Sequence, residues 1–71
     1  MKRRDLIRRI GHAARQRGLT WALVRQGAAH EVWALDGRWI TIPRHREIKE
    51  GTARAILGAF EKELGNRWWE T

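Results

Sequence analysis

The side chains able to do covalent or acid–base chemistry are few. The 71 residues contain no Ser, Cys or Tyr, which removes the common protein nucleophiles and leaves four Thr with no base beside them. The three histidines, His12, His30 and His45, are 18 and 15 residues apart. That spacing matches no standard metal-ligand pattern, and neither a P-loop nor a dinucleotide-type glycine loop is present. No metal and no cofactor is expected. With no cysteine there is no disulfide framework either.

One reaction needs none of these groups. RNA can be cut by its own 2′-hydroxyl, so the protein need only move protons and stabilise charge at phosphorus. A histidine serves the first task, and nearby Arg or Lys the second. DNA lacks the hydroxyl, so this route confines an enzyme to RNA.

Of the three histidines, His30 has the position best suited to the task. It follows Gly27-Ala28-Ala29, where small side chains let a phosphodiester approach the backbone, and it opens a strand that gives the ring a rigid base. The plainer reading, a histidine on a sheet face, stays open. His12 lies beside the apolar stripe of the first helix and reads as a half-buried structural residue. His45 follows Pro43-Arg44 in a polar loop, either as an RNA contact or as ordinary surface. Trp21, Trp33 and Trp39 read as sheet packing, with base stacking by an exposed indole as the alternative.

The charge is placed unevenly. Fifteen Lys and Arg face eight Asp and Glu, a net +7. Residues 1–25 hold Lys2, Arg3, Arg4, Arg8, Arg9, Arg15, Arg17 and Arg25 against Asp5 alone. From residue 26 onward, cations and anions balance. A localised surplus that is nearly all Arg fits a polyanion, because guanidinium binds phosphate bidentately and releases counterions. A solubilising helix face is the ordinary alternative. Arg4 and Arg8 stand one helical turn apart, and with Arg25 they are the RNA-contact candidates of this segment. Gly27 in the small-residue loop joins them, as do Arg44, His45 and Lys49 in the polar stretch beyond the strands.

These groups need a scaffold, and the chain is long enough for one small domain. A helix begins near Asp5, carries Leu6, Ile7, Ile10, Ala13 and Ala14 on one stripe, and stops at Gly18; Gly11 weakens it. Three strands follow at residues 20–25, 30–35 and 38–42. Asp36-Gly37 joins the last two as a hairpin, and Pro43 ends the third. A second helix starts near Gly51 or Thr52 and runs to Leu64, with Ala53, Ile56, Leu57, Phe60 and Leu64 as its stripe and Gly65 as its stop. The expected class is α+β: α-β-β-β-α, a three-stranded antiparallel sheet with both helices on one face. Residues 1–65 form the domain and 66–71 a tail, in which at least one of Trp68 and Trp69 packs back on the body or meets a partner. No run is long and apolar enough for a membrane span, and no signal-peptide core opens the chain, so a cytoplasmic protein without membrane contact is expected.

Through Gly27-Ala28-Ala29-His30-Glu31-Val32-Trp33, Asp36-Gly37-Arg38, Ile42-Pro43-Arg44-His45 and Glu47-Ile48-Lys49-Glu50-Gly51-Thr52-Ala53-Arg54-Ala55-Ile56-Leu57 the sequence resembles the HicA toxins. It covers residues 3–65, and the last string is its most specific part. The resemblance implies a double-stranded-RNA-binding-domain-like fold. It also implies a ribosome-independent mRNA interferase of a type II toxin–antitoxin system, held inactive by a HicB-like antitoxin. The family's catalytic histidine falls on His30. A monomer alone and a hetero-oligomer with the antitoxin are expected. Family members often carry Ser, Thr or Asn between the glycine and the histidine; here both positions are Ala. The rival readings are a non-catalytic RNA-binding module of the same fold, which the two alanines favour, and an interaction domain for an acidic partner.

Overall fold

Helix α1 spans Arg3–Gln16 and is followed by strands β1 (Trp21–Gln26), β2 (His30–Leu35) and β3 (Arg38–Pro43). Helices α2 (Glu50–Ala59) and α3 (Glu61–Leu64) and a 3-10 turn at Trp68–Glu70 complete the chain. The computed structural model describes residues 1–70, so the last residue of the expected tail, Thr71, lies outside the described residues. The α-β-β-β-α order expected from the sequence is the order found. The sheet runs β1-β2-β3 and is antiparallel throughout.

Local chemistry accounts for most boundaries. Gly18 sits at φ 69°, with its N–H on the Arg15 carbonyl and that of Leu19 on the Ala14 carbonyl. That bond pair closes a helix by way of a left-handed residue, which glycine adopts without strain. Asp36 and Gly37 both have positive φ, 51° and 88°, as a two-residue turn between paired strands requires. Pro43 closes β3, an edge strand, where a missing N–H costs no ladder bond. Gly11 has a packing reason: a Cβ there would lie 3.0 Å from Cδ1 of Trp21, so its absence lets α1 lie against the indole.

Two expectations need correction. The second helix is not continuous to Leu64 but breaks at Phe60 (φ −105°, ψ 16°). Gly58 lowers helix propensity just before the break, and the turn carries the Phe60 ring edge-on to Trp21, with centroids 5.9 Å apart. His12, expected to be half-buried, is exposed. It lies two residues from Ile10 and from Ala14, which points it well away from the stripe.

The core lies between the helices and one sheet face. Leu6, Ile10 and Ala14 of α1 meet Leu35 and Ile42 of the sheet and Ile56, Leu57, Phe60 and Leu64 of the C-terminal helices. Trp68 joins this cluster and donates its indole N–H to the Leu57 carbonyl at 2.9 Å, so the tail packs back on the body through that ring. Trp21 and Trp33 stack at 4.9 Å against the core. Trp39 does not join them; it is 64% exposed on the other face of the sheet.

Strand β1 contains an irregularity that decides what each face displays. Leu23 pairs with Trp33 and Arg25 with Val32, so Val24 is an extra residue. Trp21, Leu23 and Arg25 would share the helix-side face of a regular strand; the bulge reverses the alternation. Arg25 therefore turns to the outer face, and Gln26 to the helix side.

Candidate nucleic-acid interface

The site is built where the first residues of the chain pair with the segment after β3. Arg3 donates its backbone N–H to the Arg46 carbonyl at 2.9 Å, and Ile48 donates to the Met1 carbonyl at 2.8 Å. The bridge between Lys2 and Glu47 lies between them. This pairing brings the opening cations of α1 against the cations that follow Pro43. The result is a cleft of about 310 Å³ lined by Lys2, Arg3, Arg4, Arg44 and Arg46, every one of them basic. Lys2, Arg3 and Arg4 stand at the start of α1, where the helix dipole adds to their charge, and Arg44 and Arg46 line the same cleft; Arg3 spends its charge on an ion pair with Glu31.

One carboxylate anchors it. Glu31, 6% exposed, accepts an ion-paired hydrogen bond from the Arg3 guanidinium. It also accepts from the Trp33 indole N–H at 3.0 Å and from the Gln26 amide at 3.1 Å. Arg3 donates further to the Pro43 carbonyl at 3.0 Å. A buried carboxylate with this many donors is satisfied rather than stranded. It fixes the start of α1, the end of β1 and the start of β2 to one another.

His30 is the residue next to Glu31. Because Glu31 faces inward, His30 faces outward, and it pairs in register with Pro43. The ring is exposed and makes no side-chain hydrogen bond among the described residues. The loop before it is tightly held. Gly27 donates to the His30 carbonyl at 2.9 Å, and a Cβ on Gly27 would approach that carbonyl to 3.0 Å. The space left by glycine is therefore taken up by the protein's own backbone. Arg44 holds the loop from the other side, its backbone N–H on the Ala29 carbonyl at 3.0 Å and its guanidinium on the Gly27 carbonyl at 2.7 Å. Arg44 is thus shared between the cleft wall and the loop that carries His30.

The residues singled out from sequence are only partly brought together. Arg4 and Arg44 line the basic cleft. Arg8 instead borders a neighbouring groove of about 570 Å³ with Met1, Lys2, Asp5, Arg9 and His12. Arg25 lies on the outer sheet face, and Lys49 precedes α2, its carbonyl accepting from Ala53 at 2.8 Å. His45 is exposed between the two cleft residues Arg44 and Arg46. Sequence reasoning misses Lys2, Arg3 and Arg46 as site residues. The run Lys2-Arg3-Arg4 and the alternation Arg44-His45-Arg46 are plain in the sequence, but the pairing of residues 1–3 with 46–48 that joins them is not. No group of three His, Asp or Glu among the described residues is placed to hold a metal ion.

A family model described as the HicA toxin of bacterial toxin–antitoxin matches residues 4–65 of this chain. The chain belongs to the HicA toxin family. A HicA-family protein is the toxin of a toxin–antitoxin pair, so an antitoxin is its partner. Comparison with curated proteins and with solved structures gave no significant match. The matched segment takes in α1 from Arg4 onward, the whole sheet and both C-terminal helices, and with them His30 and Arg44. It stops before Trp68, which this HicA-family chain nevertheless builds into its core. No described helix is long and apolar enough to cross a membrane.

Proposed function

We propose that this HicA-family toxin is a metal-independent endoribonuclease of a type II system that cuts mRNA in the cytoplasm, with His30 as its proton-transfer group. The observation that supports this reading is the placement of His30. Its ring is exposed and unengaged, on a strand end whose preceding loop is held by Arg44 of the all-cationic cleft. The 2′-hydroxyl of the RNA attacks the adjacent phosphorus and the 5′-oxygen of the next nucleotide leaves. His30 takes the proton of the hydroxyl or delivers one to the leaving oxygen, and solvent water carries the other proton. Cleft cations hold the flanking phosphates and offset the charge that builds up on the phosphoryl oxygens. Neither step needs a protein nucleophile, and this chain has no Ser, Cys or Tyr to supply one.

The partner in this reading is a HicB-type antitoxin, which covers the basic cleft or His30; the toxin alone is a monomer. Substrate chemistry tests the reading. Cleavage should proceed in EDTA and fail on DNA and on RNA that is 2′-O-methylated at the cut site. The products should carry a 2′,3′-cyclic phosphate or its opened form, and a free 5′-hydroxyl. Cleavage that requires a metal and leaves 5′-phosphates contradicts it.

A further inference from the structure

We infer that the outer face of the sheet is a single-stranded RNA track, with Trp39 as a base-stacking platform. The inference rests on the ribonuclease reading for its orientation, and on separate observations for its existence. Trp39 is the most exposed of the large apolar side chains, and its ring makes no contact with another aromatic ring among the described residues. It pairs across the strands with Ala34, which pairs in turn with Ala22. Two methyl side chains beside an indole leave the flank of the ring uncovered and the floor next to it flat. A nucleobase needs such a surface, since every base has a π-face.

Charge selects the occupant. Arg25 reaches this face because of the bulge, pairing with Val32, whose other neighbour is Thr41. By the register, no Asp or Glu of the three strands points to this side; Glu31 points inward to Arg3. A face with one cation, one exposed indole and no strand carboxylate suits a polyanion with aromatic bases. His30 stands on the same face at the far end of β2. Ala34 is four residue steps along the strand from it, about 13 Å at the usual rise, a span of a few nucleotides. The base on Trp39 thus belongs to the same RNA strand as the phosphate at His30.

Binding of a fluorescent, fully 2′-O-methylated single-stranded RNA by the whole protein tests this without cleavage. Trp39→Ala should weaken binding by about tenfold, the size of one lost base stack, while circular dichroism stays unchanged. Trp39→Phe should keep most of the affinity. Lengthening the RNA on one side of the cut site should raise the affinity of the wild type and leave that of Trp39→Ala unchanged. Equal RNA affinity for Trp39→Ala and wild type overturns the inference. So does a variant that binds RNA normally but loses association with a second copy or with the antitoxin. If the wild type fails to cleave RNA yet binds it through Trp39, the ribonuclease reading falls and the track stands. If cleavage follows His30 and nothing follows Trp39, the reverse holds.

Discussion

The Arg44 guanidinium donates to the carbonyl of Gly27 at 2.7 Å, spanning the gap between the segment after β3 and the loop before β2. One side chain thus holds the backbone that presents His30 and also forms part of the wall of the cationic cleft. Charge and geometry are therefore coupled at a single residue.

Replacing Arg44 separates the two contributions. Arg44→Lys keeps a cation but loses the planar fork, so RNA affinity should fall less than turnover. Arg44→Ala should lower both and reduce the log–log salt slope of RNA binding by about one unit for each phosphate that Arg44 neutralises. The bond is exposed, so the cost in folding stability should stay within about 1 kcal/mol. Binding isotherms between low and physiological salt, with cleavage rates at saturating RNA, provide the check.

Glu31 should matter more for folding than any other charged residue. Glu31→Ala strands the half-buried Arg3, and losing one partner of such a pair costs on the order of 3–5 kcal/mol when burial is complete. Some solvent reaches Arg3, so about 2–3 kcal/mol is expected, a large part of what a domain this small possesses. Arg3→Ala with Glu31→Ala should be less destabilised than the sum of the single changes, because neither charge is then unpaired. Urea melts of the four proteins measure it.

Trp68 extends the folded unit past the segment matched by the family. Trp68→Ala removes a buried ring and its hydrogen bond to Leu57, for a loss of about 3–5 kcal/mol. A chain ending at residue 65 should be destabilised to a similar degree. Trp69→Ala should cost less, since Trp69 is only half-buried and meets Trp68 edge-on at 6.0 Å. Thermal melts order the three variants.

The elements are legible in the sequence because each is specified locally. Apolar spacing marks α1, Asp36-Gly37 marks the hairpin, and Gly18 marks the helix stop. His30 and Arg44 can be singled out by residue type and by resemblance to the family. The cleft is not legible as a whole. Arg3 and Arg46 are brought together by backbone pairing over more than forty residues, and nothing local announces that. The bulge at Val24 is equally hidden, because an extra residue leaves no mark on an apolar run, yet it decides which face Arg25 serves. The break at Phe60 coincides with a tertiary contact with Trp21, which a stripe of helical period does not disclose.

The antitoxin should recognise the same charge. An acidic partner should associate quickly at low salt and more slowly as salt rises, since opposite charges steer the encounter. Arg4→Glu with Arg46→Glu should slow association by about tenfold or more and also weaken RNA binding, because both ligands would share the cleft. Association kinetics at two or more salt concentrations decide it; an unchanged rate would place the antitoxin elsewhere.

Proton transfer by His30 is tested most directly by the rate of RNA cleavage by the folded His30→Ala protein. A positioned acid or base is worth about 10²–10⁴-fold, so the variant should retain only a trace of turnover while binding RNA as the wild type does. Cleavage by the folded variant at near wild-type rate would contradict the account.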